Sequence, residues 1–181
     1  MDSWEVNQEK TFLGQEFLTW LWCRSESQEP LTLEQGRPVE IIIGDRMVLG
    51  PVAGREGARV TVRGRESSLA EAREALRRGK LVESLRLGLE LGGEEFWLTL
   101  RAADLGVSSL KLPTPTPPEP LPGREPGLDR DGMVLERVAL IGQVLAAVQQ
   151  LFALFLEERL ARPQEEGAAR RLRDWIWQTW E

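Results

Sequence analysis

The chain contains no histidine, no tyrosine and one cysteine, Cys23. Without histidine there is no imidazole general base, no His-dependent catalytic triad and no His-containing zinc site. A single cysteine excludes a disulfide within the chain. Cys23 has no accompanying base in its Trp-rich surroundings, so it reads as a small buried hydrophobe rather than a nucleophile. Phosphate-cradling glycine loops are missing too, because Gly50, Gly54 and Gly57 lack the Lys-Ser/Thr follow-on and the helix that such loops need. Little cysteine and no secretory signal are the pattern expected of a cytoplasmic protein.

What is present describes an ordinary globular chain. Its 181 residues are 41% hydrophobic and 29% charged, enough apolar material to bury a core. The net charge of −6 argues against a simple polycation wrapping nucleic acid. The charge is uneven, however. Between Pro51 and Leu112 stand eleven Lys or Arg and nine Asp or Glu, so a mildly basic middle lies inside an acidic chain.

The segment TFLGQEFLTWLWCRSE, residues 11–26, predicts a helix. Leu13, Phe17, Leu18, Trp20 and Leu21 fall on one stripe, as a core-facing helix requires. Phe12, Trp22 and Cys23 lie off it and leave a second apolar surface to be covered. Gln28 to Pro38 reads as a loop, with Pro30, Gly36 and Pro38 as punctuation. Val39–Ile43 and Met47–Leu49 are short apolar runs around Gly44-Asp45-Arg46, the pattern of a hairpin. Ala58–Val62 predicts a strand, and Leu69–Arg78 a helix capped by Ser67 or Ser68 and ended by Gly79. The clearest β signal follows: Leu85, Leu87, Leu89 and Leu91 alternate with polar residues or glycine, Gly92-Gly93 turns the chain, and Phe96, Leu98 and Leu100 alternate again. Val107–Leu112 is a further strand candidate. The fold class expected is α+β, an antiparallel sheet packed by helices.

Residues 113–127 hold seven prolines and predict an extended linker. It divides an α+β domain, 1–112, from C-terminal helices, 128–181, that pack on the domain or on a partner subunit. Met133–Ala161 predicts one long helix whose Val134, Val138, Ile141, Leu145, Val148, Phe152 and Phe155 form a heptad seam. Its charge-free stretch from Val138 to Leu156 is about 28 Å long as a helix, enough for a membrane span. Glu136, Gln143, Gln150 and Glu157 recur every seven residues, though, and favour a buried helix or a dimer seam over lipid. After Pro163 a shorter helix closes the chain. Its Trp175, Trp177 and Trp180, beside Arg170, Arg171 and Arg173, suit packing on the long helix, a membrane surface or base stacking.

Nothing in the sequence supports an enzyme. Glu94-Glu95 and Glu165-Glu166 read as solvated surface, and Asp45 as a turn residue. No cofactor, metal or small-molecule substrate is implied. The one constellation with a binding rationale is cationic. With Val60 and Val62 inward, Arg59, Arg63 and Arg65 project from the opposite face, where same-face neighbours are about 6.6 Å apart, close to the spacing of phosphates along a strand. Arg77, Arg78 and Lys80 end the middle helix, and Arg86 and Arg101 lie on adjoining strands opposite the leucine ladder. A solvated face interleaved with Glu66, Glu83 and Glu90 is the alternative.

The segment SLAEAREALRRGKLVESLRLGLELGGEEFWLTLRAADLGVSSLKL resembles the C-terminal portion of the RdgC family of recombination-associated DNA-binding proteins. The shared pattern is a short helix ending in Gly79-Lys80 that leads into a hairpin. The helix from Arg137 with its LIGQVLAAVQQLF core is similar to the family's last helix, and residues 11–26 to the helix that opens that portion. The resemblance covers most of residues 11–112 and 133–160. It implies a nucleoid-associated homo-oligomer that binds DNA without sequence preference and limits RecA access. RdgC forms a dimeric ring with a basic inner surface. The N-terminal portion of RdgC has no counterpart in this sequence, while the proline linker and Trp-rich tail are additions, so ring closure in the family's manner is in question. The alternative is a protein-interaction or oligomerisation module, without DNA binding, that uses the long helix and the Trp residues.

Overall fold

A computed structural model describes residues 3–27, 29, 31–64, 67–114, 130–160, 172 and 174–175. The elements run α1 (Ser3–Glu26), β1 (Leu31–Leu33), a 3-10 turn (Glu34–Gly36), β2 (Arg37–Gly50), β3 (Val60–Arg63), α2 (Ser67–Arg77), β4 (Leu81–Leu91), β5 (Glu94–Arg101), β6 (Val107–Lys111) and α3 (Arg130–Leu160). The six strands form one antiparallel sheet in the order β1-β2-β4-β5-β6, with β3 also paired to β2. The α+β class read from the sequence is the class observed.

Alternation decides the two faces of this sheet. Leu85, Leu87, Leu89 and Leu91 of β4 and Phe96, Leu98 and Leu100 of β5 are buried on one side, because successive strand residues point to opposite faces. Val39, Ile41, Met47 and Leu49 of β2 and Val62 of β3 join them. Gly92 and Gly93, with φ of +62° and +86°, make the tight β4–β5 turn, whose left-handed positions favour glycine. Both glycines of that turn lie where the alternation of Leu and Phe predicts them.

The run around Gly44-Asp45-Arg46 does not turn back. Both halves of β2 pair with β4, with a register shift between Ile43 and Met47, so the interruption is a β-bulge within one strand. Gly44 is needed there because a Cβ would lie 2.4 Å from Cγ of Arg86. The loop expected over residues 28–38 contains β1, which pairs Leu31–Leu33 with Arg37–Val39. Its three residues were too short a run to stand out as a strand.

Helix α1 is apolar around much of its circumference, and the structure covers it on both sides. Phe17, Leu18, Trp20, Leu21 and Trp22 are fully buried, and Cys23 nearly so. Two buried polar side chains seat it on the sheet. Thr19 Oγ1 accepts from Val82 N and donates to Gln15 O. Gln15 donates to Pro51 O and accepts from Ala53 N, both at 2.9 Å, so these two buried side chains are satisfied. At Gly14 a Cβ would sit 2.0 Å from the carbonyl oxygen of Ala102, a measure of how closely the helix meets the β5–β6 turn.

Helix α3 lies over the outer side of α1. Phe17 meets Phe152 edge-on at 5.0 Å and Phe155 at 5.5 Å, and Trp20 meets Phe155 at 5.8 Å. The surface meeting α3 is therefore the Phe17–Trp20 stripe rather than Phe12 and Trp22. Trp22 instead packs against Trp175 at 5.2 Å. Leu172 is buried in the same core, so both described apolar residues of the tail reach the domain; Trp177 and Trp180 lie outside the described residues, as does most of the proline-rich segment. Helix α2 contributes Ala72, Ala75 and Leu76 to the core. Lys80 N bonds Ala75 O, and Gly79 N (φ +78°) bonds Leu76 O, the glycine cap expected at its end.

Candidate nucleic-acid interface

Each of the three helices contributes buried apolar side chains to the one core, which leaves the other face of the sheet without a helix among the described residues. Register arranges that face by charge. At one end Glu40, Glu90 and Glu95 stand opposite one another across β2, β4 and β5. In the middle Ile42, Gly88, Trp97 and Lys111 form a cross-strand row. At the other end Arg46 and Arg63 stand directly opposite each other on β2 and β3, both exposed. Arg86 and Arg101 lie diagonally across the β4–β5 pair, opposite Thr99 and Ser84.

The middle row has a defined shape. A Cβ on Gly88 would meet the Trp97 ring at 3.1 Å and Ile42 Cβ at 3.2 Å, so the six-membered ring of the indole packs against the glycine. The Arg86 guanidinium sits 5.8 Å from the Trp97 ring centre, within cation–π range, and its Nη1 donates to Ser109 O at 2.7 Å. Trp97 Nε1 donates to Glu95. An arginine and a half-buried tryptophan thus share an open surface, with polar Thr99 and Ser108 beside them.

The sequence-derived cations divide into two groups. Arg59, Arg63, Arg86 and Arg101 come to the cationic half of the open face or its margin, where Arg46 joins them. In the sequence Arg46 stands in a run with the pattern of a turn; its place opposite Arg63 is visible only in the paired register. Arg77 and Arg78 do not reach this face. Both lie at the end of α2 and pair with Glu74, at 3.7 and 3.0 Å. Lys80 Nζ donates to Ala58 O. Arg65 lies outside the described residues. Acids do interleave with this set: Glu83 pairs with Arg59, and Asp104 pairs with Arg101 at 2.8 Å. Arg46, Arg63 and Lys111 have no ion pair among the described residues.

Elsewhere an open groove lies between the end of α1 and the β2–β4 strand ends, lined by Arg24, Glu29, Pro38, Glu40 and Glu90 among others. Arg24 there is already bound by Glu29 and Glu158. Among the described residues no three His, Cys, Asp or Glu side chains converge as metal ligands do. Comparison of the chain with protein-family models, curated proteins and solved structures finds no match.

Proposed function

We propose that the chain is a non-enzymatic protein that binds DNA without sequence preference, akin to the RdgC family, through the cationic half of its open sheet face. One observation carries this reading: Arg46 and Arg63 oppose each other across β2 and β3 with no carboxylate paired to either among the described residues. Like charges directly opposite on a sheet destabilise it by a few tenths of a kcal/mol to about 1 kcal/mol, and a bound phosphate relieves that repulsion. Arg86 and Arg101 extend the cationic surface, while the Glu40–Glu90–Glu95 row at the far end limits it to one half of the face. An acidic chain is compatible with this function because phosphate contacts are local. Titration of labelled duplex DNA over a salt series tests the proposal. Binding should weaken steeply with salt as counterions are released, and Arg46→Glu with Arg63→Glu should abolish it. No binding at low salt would reject the reading.

A second reading, a protein-interaction or assembly module, is favoured by a different observation. The N-terminal part of α3 exposes Met133, Val134, Leu135 and Val138, and exposed contiguous apolar surface marks interaction sites.

A further inference from the structure

The heptad seam of α3 is used in two ways along its length. Its later members, Val148 and Phe155, are buried on the domain, and Phe152 packs against Phe17. Its earlier members are uncovered: Val134 and Val138 are each 59% exposed, and Ile141 and Leu145 about two-fifths so. On the flank, Leu135 is 69% exposed, and one heptad later Gly142 has nothing within 4 Å of where its Cβ would be. By length and composition α3 also qualifies as a candidate membrane span, with 33% of its apolar window buried.

We propose that this uncovered seam pairs with the same seam of a second copy, the two α3 helices running antiparallel about a twofold axis between Val138 and Ile141. The pattern is self-complementary. Positions 134, 138, 141 and 145 are spaced four, three and four, which reads the same in both directions. A twofold through its centre sets Val134 on the partner copy's Leu145 and Val138 on its Ile141, the alternating layers of a helix pair. The same operation brings Leu135 over the partner copy's Gly142, so a well-exposed leucine fills an open place on the facing helix, twice. In a parallel pair this flank would face the partner copy's opposite flank, so Gly142 would meet the partner copy's Arg137 and Leu135 would be left without the gap it fills. Antiparallel pairing also places the two domains, each seated on the later part of its own helix, at opposite ends, and it opposes the helix dipoles. Such an interface is isologous, as closed dimers require.

This inference deepens the assembly reading and does not depend on DNA binding. Light scattering of the full chain across a concentration series should give a dimer, and Val138→Glu should give a monomer with unchanged circular dichroism and thermal melting. Orientation is tested in a Cys23→Ala background by mixing a Val134→Cys copy with a Leu145→Cys copy. Oxidation should cross-link the mixture and leave Val134→Cys alone unlinked, because antiparallel pairing separates its two thiols by about 16 Å along the axis at 1.5 Å per residue. Self-linking of Val134→Cys would overturn the antiparallel arrangement. An unaltered chain that stays monomeric would overturn self-pairing. If that monomer floated with phosphatidylcholine vesicles and Val138→Glu abolished flotation, the surface would belong to a membrane. A monomer that instead bound a protein partner through these residues would reject self-pairing and keep the assembly reading.

Discussion

The Glu158 carboxylate of α3 accepts a 3.0 Å hydrogen bond from the indole Nε1 of Trp20 in α1. Its other oxygen accepts from Arg24 at 2.7 Å, and Arg24 lies 5.6 Å from the Trp20 ring centre. A helix 138 residues away in sequence is thereby tied to a fully buried aromatic of the core. Arg159 adds a bond to Glu16 at 2.8 Å one residue later.

Glu158→Ala should therefore loosen α3 from α1. The Arg24 side chain is 9% exposed and that of Glu158 21%, so the change leaves a largely buried donor short of a partner. The expected cost is about 2 kcal/mol, within the range for hydrogen bonds to charged groups. It would be read as a lower urea midpoint at unchanged slope. Glu158→Gln, which retains an acceptor oxygen for Trp20, should lose less.

Gly14→Ala should be costlier than its size suggests. The added methyl would meet the oxygen, carbonyl carbon and Cα of Ala102 at 2.0, 2.8 and 3.0 Å. All three are backbone atoms, so relief requires the helix to move off the sheet. A loss of about 3 kcal/mol, at the upper end for overpacking, is expected in chemical denaturation. A loss below about 1 kcal/mol would show that α1 shifts freely.

The two groups of arginines should separate by salt dependence. Arg46→Ala and Arg63→Ala should each reduce the slope of log affinity against log salt by about 1. Arg77→Ala and Arg78→Ala, whose guanidinium groups are paired with Glu74 on the helix side, should leave it unchanged. Fluorescence anisotropy with duplex DNA measures both.

Trp97 offers a test of strand preference. Its six-membered ring packs against Gly88 and its ring centre lies 5.8 Å from the Arg86 guanidinium, and base–aromatic stacking contributes about 1–3 kcal/mol per base. Trp97→Phe keeps a ring and should retain most single-strand binding to oligo(dT), whereas Trp97→Ala should lose it. Duplex binding should change little, because paired bases do not present their faces.

Much of the fold was legible because its signals are local. The Leu85–Leu91 ladder, Gly92-Gly93 and the Gly79 cap each follow from the conformational needs of a few adjacent residues. The interruption at Gly44-Asp45-Arg46 is ambiguous in the sequence, because glycine next to aspartate suits a turn and a bulge equally. Only pairing with β4 decides between them. The cationic site was legible in part for the same reason. Strand alternation places Arg63, Arg86 and Arg101 on the open face, but the choice of counter-ion is made by residues distant in sequence. Glu83 lies 24 positions from Arg59, whereas Glu74 takes Arg77 and Arg78 from within their own helix.

By itself the sequence determined the class of fold, the buried α1 and the long apolar α3, since amphipathic period and turn chemistry are written into neighbouring residues. It also determined which chemistries are missing, because histidine and a second cysteine cannot be supplied by folding. Tertiary structure alone decided which half of the α3 seam is covered, which arginines face one another and which are neutralised at home. Those outcomes depend on register and helix placement, where a shift of one strand residue reverses every side chain. The pairing of Arg46 with Arg63 is the clearest instance, made by two strands that meet only when the sheet is assembled.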